Sequence, residues 1–459
     1  MTGARCADTG PPRAADPANL EGVSHLNDLE SQQNDPSFAN VWQELKWRGL
    51  VHVSTDEVEL EKLLAGDPVT YYCGFDPTAP SLHLGNLVQL LLMRRLQLAG
   101  HKPLGLVGGS TGLIGDPRPT AERTLNTKDT VSEWVGYLQA QVRRFLSFDG
   151  ANAARMVNNL DWTAPLSAID FLREIGKHFR VGTMLRKDAV ASRLSSDEGI
   201  SYTEFSYQIL QGMDYLQLYR DYGCLLQTGG SDQWGNLTSG TELIRKVEGK
   251  TVHALGTPLI TNADGTKFGK SEGNAIWLDP AMCSPYAFYQ FWLNTADADV
   301  VDRLKVFTFL SRAEIEAFAV SVAERPFARE GQRKLAYEVT SLVHGVEATE
   351  KVIAASAAVF GHGDLSVLDE QTLAAATSEL PSAAVDGAGL GIIDLLVASG
   401  LSESKSAARR VVGEGGAYVN NAKVSDPDAV IPRSELLHGK YLLLRRGKKN
   451  LATVQVSGN

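Results

Sequence analysis

The stretch "TEFSYQILQGMDYLQLYRDYG" sets Tyr207, Gln211 and Asp214 at helical spacing. A phenol, an amide and a carboxylate then share one stripe, while Ile209, Leu210, Met213 and Leu216 point elsewhere. On an isolated helix such a stripe usually faces solvent. Solvated faces carry Lys, however, and this one has none, so it can instead grip a small polar ligand. A second group stands far upstream in "SLHLGNL", where His83 and Asn86 flank Gly85 at what reads as a helix start. Backbone N–H groups there favour phosphate, Gly85 allows close approach, and both side chains supply donors. The third group, "ADGTKFGKS", sets Lys267 and Lys270 about Gly269 with Ser271 beside them. Two ammonium groups on a glycine-containing loop can follow the charge that builds on a leaving polyphosphate. Taken alone, that stretch reads as a hairpin turn with lysines for solubility; with His83 in the same chain, a polyphosphate site is the better reading.

The elements that must hold these groups are legible from pattern. "VTYYCGF" (69–75) is β-branched and aromatic and runs into the turn former "DPTAPS", so it reads as a strand. "LVQLLLMRRLQLAG" follows as a helix closed by Gly100, and "PLGLVGG" (103–109) as the next buried strand. Strand, helix, strand implies a parallel sheet with helices on its faces, whose ligands lie outside the carboxyl ends of the strands. His83 falls there. "TVSE" (130–133) reads as a capping box opening a helix that runs to about Phe148. "CLLQTGGSDQWGN" (224–236) reads as a strand, a glycine-rich turn and a helix start. "GGSTGLIGDP" (108–117) lacks the Lys of a P-loop and the downstream acid of a dinucleotide site, so it is read as a close-packed turn presenting Asp116 at the sheet edge. There is no Ser/His/Asp or Cys arrangement suited to nucleophilic catalysis and no metal-type set; a divalent ion would arrive with a nucleotide.

The chain has 459 residues, 43% hydrophobic and 21% charged, which is an ordinary globular composition with room for several domains. No apolar run reaches the roughly 18 residues of a membrane span, so no membrane segment is expected. Four cysteines (Cys6, Cys73, Cys224, Cys283) lie far apart and read as free thiols, which makes the cytoplasm the default compartment. Residues 1–38 lack the apolar core of a signal peptide and read as a loosely ordered extension. The net charge of −10 by itself disfavours a nucleic-acid partner. From Gly391 onward, however, ten Lys and Arg face six acids, and a basic tail on an acidic body suggests a polyanion partner. Residues 284–361 are almost wholly helical in pattern, starting at "SPYAFYQFW" with Ser284 as cap and Pro285 in the first turn. The small, polar, acidic run 362–389 reads as a linker with a short helix inside it, and 390–459 as a small domain.

Four stretches occur in one order: "YYCGFDPTAPSLHLGN", "GSTGLIGDP", "EFSYQILQGMDY" with "GGSDQWGN", and "KFGKS". Together they closely resemble bacterial-type tyrosyl-tRNA synthetases, which are class I aminoacyl-tRNA synthetases, over residues from about 40 to the C-terminus. The resemblance implies an α/β protein: a Rossmann-type parallel-sheet catalytic domain (39–260), a signature loop region (261–283), an α-helical anticodon-side domain (284–361) and a small C-terminal α+β RNA-binding domain (390–459). It implies an enzyme that converts L-tyrosine and ATP to tyrosyl-adenylate and pyrophosphate, then moves tyrosine to the 3′ end of its tRNA. Carried over residue by residue, Tyr72 and Asp214 would hold the substrate phenol, and Asp116, Tyr207 and Gln211 its ammonium, with Gln233 nearby. Gly74, Asp76, Thr78, His83, Gly85 and Asn86 would face ATP, Gly230 and Asp232 its ribose. Lys267, Lys270 and Ser271 match the mobile second signature, and Thr78, His83, Asn86, Lys267 and Lys270 are the expected catalytic set. Mg²⁺ would accompany ATP; no prosthetic group or bound metal is expected, and a homodimer is. "GIIDLLVASGLSESKSAARRVVGEGGAYVNNAKV" resembles an RNA-binding module shared with a ribosomal small-subunit protein.

The chemistry accords with the groups that are missing. A tyrosine carboxylate is ionised at neutral pH and is itself the nucleophile, so the first step needs no general base. Asn86 departs from the family pattern, standing where many relatives have a second histidine; it keeps a donor and an acceptor but never a charge. A different nucleotidyltransferase of the same fold would account for His83 and the strand–helix–strand unit, but not for the 207–214 stripe or the basic tail. A non-catalytic RNA-binding relative would leave "KFGKS" without purpose.

Overall fold

A computed structural model describes residues 29–117, 125–195, 199–262, 265, 268–271, 274–360, 363–378, 380–387, 390–447 and 450–457. Six strands build the first sheet: β1 (Val53–Ser54), β2 (Thr70–Phe75), β3 (Lys102–Val107), β4 (Arg155–Asn158), β5 (Cys224–Gly230) and β6 (His253–Thr257). Their spatial order is β1-β6-β5-β2-β3-β4. Every pairing is parallel except β1 with β6. From β2 the chain winds outward through β3 and β4, then returns to the other side for β5 and β6. The winding therefore reverses between β2 and β5, and a ligand crevice opens beyond the carboxyl ends of these two strands. Asp76 directly follows β2 there, and Gly230 ends β5.

Helices cover the sheet because its strands are apolar on both faces. The Leu84–Leu98 helix connects β2 to β3, and the long Tyr202–Tyr222 helix packs against β5 and against the Trp234–Glu248 helix. Tyr72, Leu104, Leu106, Met213, Tyr215, Leu216 and Ile244 belong to one buried cluster. The floor of the crevice is thus continuous with the core, and each fully buried Leu contributes roughly 1.5–3 kcal/mol.

Several expectations are corrected. The helix expected to open at "TVSE" starts instead at Lys128: Thr127 accepts the Thr130 N–H at 3.1 Å, and the helix ends at Arg143 rather than near Phe148. Residues 29–38, expected to be loosely ordered, are packed. Leu29 O accepts from Arg94, Asn34 donates to Arg95 O at 2.9 Å, and buried Asp35 accepts the Arg312 N–H at 2.5 Å. Residues 1–28, with Cys6, lie outside the described residues. A two-residue hairpin, β7 (Lys270–Ser271) with β8 (Asn274–Ala275), occupies the second signature.

The helical stretch 284–361 does not form one body. Residues Trp292–Val339 belong with the six-stranded sheet, whereas Ser284–Phe291 and Thr340 onward belong to a second unit. Ser284 does cap its helix, accepting the Ala287 N–H at 3.2 Å. In the second unit the expected linker is largely structured: Glu370–Thr377 is a helix, and β9 (Ser382–Asp386) pairs in parallel with the last strand. Two short helices, Ile392–Ala398 and Lys405–Gly413, precede β10 (Ala417–Val419), β11 (Ala422–Val424), β12 (Tyr441–Arg446) and β13 (Asn450–Ser457). The sheet order is β11-β10-β12-β13-β9, with its own core of residues such as Ile392, Leu396, Val412, Leu444 and Val454.

Candidate active site

Ser201 opens the Tyr202–Tyr222 helix by accepting the Glu204 N–H at 3.2 Å, and Gly223, at φ +60°, closes it. Between these caps the polar stripe turns inward. Tyr207 and Asp214 are buried and Gln211 half-buried. Asp214 is 1% exposed, and two donors hold it: Trp162 Nε1 to Oδ1 at 2.8 Å and Asn159 Nδ2 to Oδ2 at 3.0 Å. Burial pushes its pKa up to about 7, although both hydrogen bonds favour the charged form. Tyr72, at 1% exposure, reaches the same region from β2, its ring edge-on to Tyr215 at 5.2 Å. Among the described residues its hydroxyl has no hydrogen-bond partner, and neither has Gln211 Oε1. An unsatisfied buried polar group costs about 1–3 kcal/mol, so a ligand that completes both groups gains from each.

The next pair of carboxylates lies at the strand ends. Asp76 accepts from Thr111 Oγ1 at 2.6 Å and from the Tyr207 hydroxyl at 2.7 Å. Burial, then the charges of Asp76 and Asp116, keep the Tyr207 phenol well above its ordinary pKa, so it serves as a neutral donor. A Cβ on Gly108 would lie 2.0 Å from Asp76 Oδ1 and 2.2 Å from Thr111 Oγ1, so only glycine lets the two meet. Asp116 accepts from Gln233 at 3.0 Å and from Asn236 at 3.0 Å, and Asn236 also donates to Gln233 at 2.8 Å. Asp76, expected on the nucleotide side, is therefore bonded to the 207–214 stripe through Tyr207.

Across the crevice, His83 caps the Leu84–Leu98 helix. Its Nδ1 accepts the Gly85 N–H at 3.0 Å, and Asn86 Oδ1 accepts the His83 N–H at 3.1 Å. Because Nδ1 is an acceptor, the neutral ring carries its proton on Nε2. A Cβ on Gly85 would stand 2.8 Å from His83 Cε1, so glycine lets the ring fold back over the helix end. Asn86 thus has a local task that the sequence did not show: its carbonyl completes a reciprocal cap. The capped segment is stitched to the chain following the second signature. Leu84 N donates to Ile276 O at 3.1 Å, Leu278 N to Leu82 O at 2.8 Å and Ile276 N to Gly269 O at 2.9 Å, while the Trp277 ring stands edge-on to His83.

Lys270 and Ser271 form β7 in this neighbourhood, and Lys267 lies outside the described residues. Gly74 is exposed although it belongs to a central strand, so the crevice reaches it, and exposed Thr78 follows through a turn bonded to Asp76 O at 2.8 Å. On the far side Gly230 ends β5, and Asp232 is exposed in the single turn Ser231–Gln233.

Sequence reasoning missed Thr111, Asn159, Trp162 and Asn236. A signal existed for two of them: "NNLDW" (158–162) is a polar run at the carboxyl end of β4, which is where ligand-facing groups collect. Which carboxylate they serve depends on the fold.

Residues 64–361 match the family described as tRNA synthetases class I (W and Y), and residues 372–454 match the tyrosine–tRNA ligase SYY-like C-terminal domain. A tyrosine–tRNA ligase of Leifsonia xyli is 72% identical over 429 residues, spanning 93% of this chain and 97% of the relative. One from Streptomyces avermitilis is 64% identical over 422 residues, spanning 92% and 100%. Among solved structures, a C-terminally truncated mitochondrial tyrosyl-tRNA synthetase of Aspergillus nidulans superposes with a TM-score of 0.62 at 29% identity, covering 69% of this chain and 93% of that one. A tyrosyl-tRNA synthetase of Archaeoglobus fulgidus complexed with L-tyrosine, at 18% identity and a TM-score of 0.51, shares the fold.

Proposed function

This chain belongs to the tyrosine–tRNA ligases, class I aminoacyl-tRNA synthetases, and from that premise we propose how its residues divide the work. The reaction uses tyrosine, ATP and tRNA. The observation that carries the assignment is the buried carboxylate of Asp214, poised near neutrality beside the unpartnered Tyr72 hydroxyl. A substrate phenol completes both, donating to Asp214 and accepting from Tyr72. Phenylalanine fills the same space and leaves both groups unpaired, which is a strong basis for discrimination.

At the other end of the substrate, its ammonium meets Asp76, Asp116 and the free Gln211 carbonyl, with Tyr207 and Gln233 orienting the two carboxylates. This places the substrate carboxylate toward the mouth of the crevice. There one of its oxygens bonds to the α-phosphorus of ATP as the α–β bridging oxygen departs with pyrophosphate. Positioning and charge stabilisation do the rest. His83 donates Nε2–H toward the polyphosphate, with Thr78 and Asn86 beside it; Lys267 and Lys270 follow the departing charge, and Ser271 lies with them. Gly74, Gly85 and Gly230 leave room for the nucleotide, and Asp232 accepts from its ribose. The tRNA terminal hydroxyl then takes the tyrosyl group and AMP is released.

Mg²⁺ arrives with ATP in this reading, because it usually binds through one or two carboxylates plus the phosphates of the substrate. RNA binding by the C-terminal module is supported by exposed Lys405, Arg409, Arg410, Lys423 and Arg446 on a chain that is acidic elsewhere. Homodimerisation is supported by apolar side chains exposed between β4 and the first residue of the Tyr202–Tyr222 helix: Ile169, Leu172, Val181, Leu194 and Tyr202 are 46–71% exposed. No described helix is long and apolar enough to cross a membrane, and buried thiols at Cys73 and Cys224 accord with a cytoplasmic home.

Tyrosine-dependent exchange of labelled pyrophosphate into ATP tests the division of roles. Asp214→Ala damages tyrosine affinity at equilibrium, whereas Lys270→Ala slows exchange and leaves that affinity intact. Equal losses of tyrosine affinity in both variants refute the division.

A further inference from the structure

The Lys128–Arg143 helix packs beside β3, and Gln141, in its last turn and 3% exposed, meets the chain just ahead of His83. Gln141 Oε1 accepts the Leu82 N–H at 2.8 Å, and Ser81 Oγ stands 3.3 Å from the same oxygen. Ser81 Oγ in turn accepts the Asp279 N–H at 3.1 Å, and Asp279 Oδ1 accepts the Ala281 N–H at 2.8 Å. All three side chains are buried. One amide oxygen therefore holds, directly or through Ser81, two segments that border the signatures. Residues 81–83 lead into the His83 helix, and residues 276–279 follow the β7–β8 hairpin. The two run antiparallel: besides the bonds from Leu84 N to Ile276 O and from Leu278 N to Leu82 O, His83 pairs with Trp277.

We propose that Gln141 is a positioning residue: it pins the register of this short ladder and so aims His83 at the polyphosphate. The inference rests on the nucleotide-site assignment given above. Side chains alternate along an extended segment, so buried Leu82 and Leu84 turn the intervening His83 outward, where it is exposed. A slip of one residue would reverse that order and carry the imidazole into the core. One bridge and its flanking bonds are a weak hold on register, and Leu82 is gripped at both backbone groups, its N–H by Gln141 and its carbonyl by Leu278. An apolar side chain of similar size could fill the space of Gln141, but it would leave the Leu82 N–H buried without an acceptor. The tolerance is narrow, because a displacement of about 1 Å in a reacting group can cost on the order of a hundredfold in rate. Asp76, Asp116 and Asp214 have partners of their own, so the tie bears on the nucleotide side. Buried behind Leu82, Gln141 acts through the backbone it holds.

The test uses the full chain with Gln141→Met, Gln141→Glu and Ser81→Ala, each made alone and together with His83→Ala, and His83→Ala by itself. Tyrosine affinity at equilibrium, KM for ATP, the exchange rate at saturating ATP and Tm are measured for each. Gln141→Met lowers the saturating exchange rate by about tenfold, the equivalent of one lost hydrogen bond, while tyrosine affinity stays within about twofold. Gln141→Glu keeps an acceptor oxygen in place and retains about half the parent rate or more. With His83 already replaced, Gln141→Met costs less than about twofold further, because there is no imidazole left to misalign. A tenfold loss that persists without the imidazole, tyrosine affinity falling in step with exchange, or a Glu variant as slow as Met would each overturn the proposal. Ser81→Ala cuts the link to Asp279 and leaves Gln141 in place, so an unstable Met variant does not end the test. Its loss should likewise depend on His83, and a loss independent of His83 counts against the proposal. If His83→Ala impairs ATP use and Gln141→Met does not, only the Gln141 proposal fails. If His83→Ala is silent, the nucleotide-site assignment itself fails.

Discussion

Lowering the pH below neutrality should weaken tyrosine binding and spare phenylalanine binding. Asp214 titrates near 7 because burial penalises its charge, and only the ionised form offers both oxygens as acceptors. Each oxygen already takes one N–H, from Trp162 or Asn159, and retains a lone pair for the substrate hydroxyl. A phenol that donates to Asp214 therefore binds the ionised protein. At about pH 5.5 roughly 3% of Asp214 is ionised, against roughly 90% at about pH 8. Tyrosine affinity should differ about thirtyfold between the two, or about 2 kcal/mol. The ligand's own carboxyl, ammonium and phenol groups titrate outside this window. Linkage fixes the sign of the companion effect. The folded pKa lies above the unfolded value of 3.8, so in the free protein ionising Asp214 costs stability that is lost progressively as pH rises from about 4 to about 7. Saturating tyrosine should consequently raise Tm more at about pH 8 than at about pH 5.5. Fluorescence or calorimetric titration with tyrosine and with phenylalanine across this range reads the effect, and Asp214→Asn should flatten it. A tyrosine affinity independent of pH in the parent, or a phenylalanine affinity that falls in parallel, would refute the reasoning.

Trp162→Phe removes a donor that favours the charged form of Asp214, so the midpoint of the tyrosine-affinity profile should move up by about one to two pH units; an unmoved midpoint would show that the indole does not tune the carboxylate. Gly108→Ala puts a methyl group 2.0 Å from Asp76 Oδ1 and must displace that carboxylate, so tyrosine affinity should fall about tenfold or more while KM for ATP changes little. Unaltered tyrosine binding would remove Asp76 from the ammonium site. Asn86→Ala should cost about 1 kcal/mol of stability in denaturant titration through the lost cap. Asn86→Asp keeps the acceptor and the stability, but its negative charge beside the polyphosphate should raise KM for ATP; equal ATP kinetics in the two variants would confine Asn86 to capping.

Periodicity and motif by themselves determine much of this protein. The Tyr207, Gln211 and Asp214 stripe, the turn after β2 with its His83, and the βαβ order of the sheet are consequences of short-range spacing, which a sequence carries directly. The same local rules misplaced the start of the Lys128–Arg143 helix, because Thr127 and Thr130 both resemble caps and only backbone geometry decides between them. They also made a linker of β9, whose few small residues become a strand only by pairing with β13 some seventy positions later. What tertiary structure alone decided is who meets whom. Asn159 and Trp162 on Asp214, Thr111 on Asp76, and Gln141 on Leu82 are contacts across 35 to 59 positions. No periodicity encodes such pairs. They exist because a parallel sheet brings the carboxyl ends of separate strands to one edge, where burial raises the penalty for every polar group left unpartnered. Asn86 shows the division at a single residue: its identity was plain in the sequence, but only the folded helix end shows that its carbonyl caps His83.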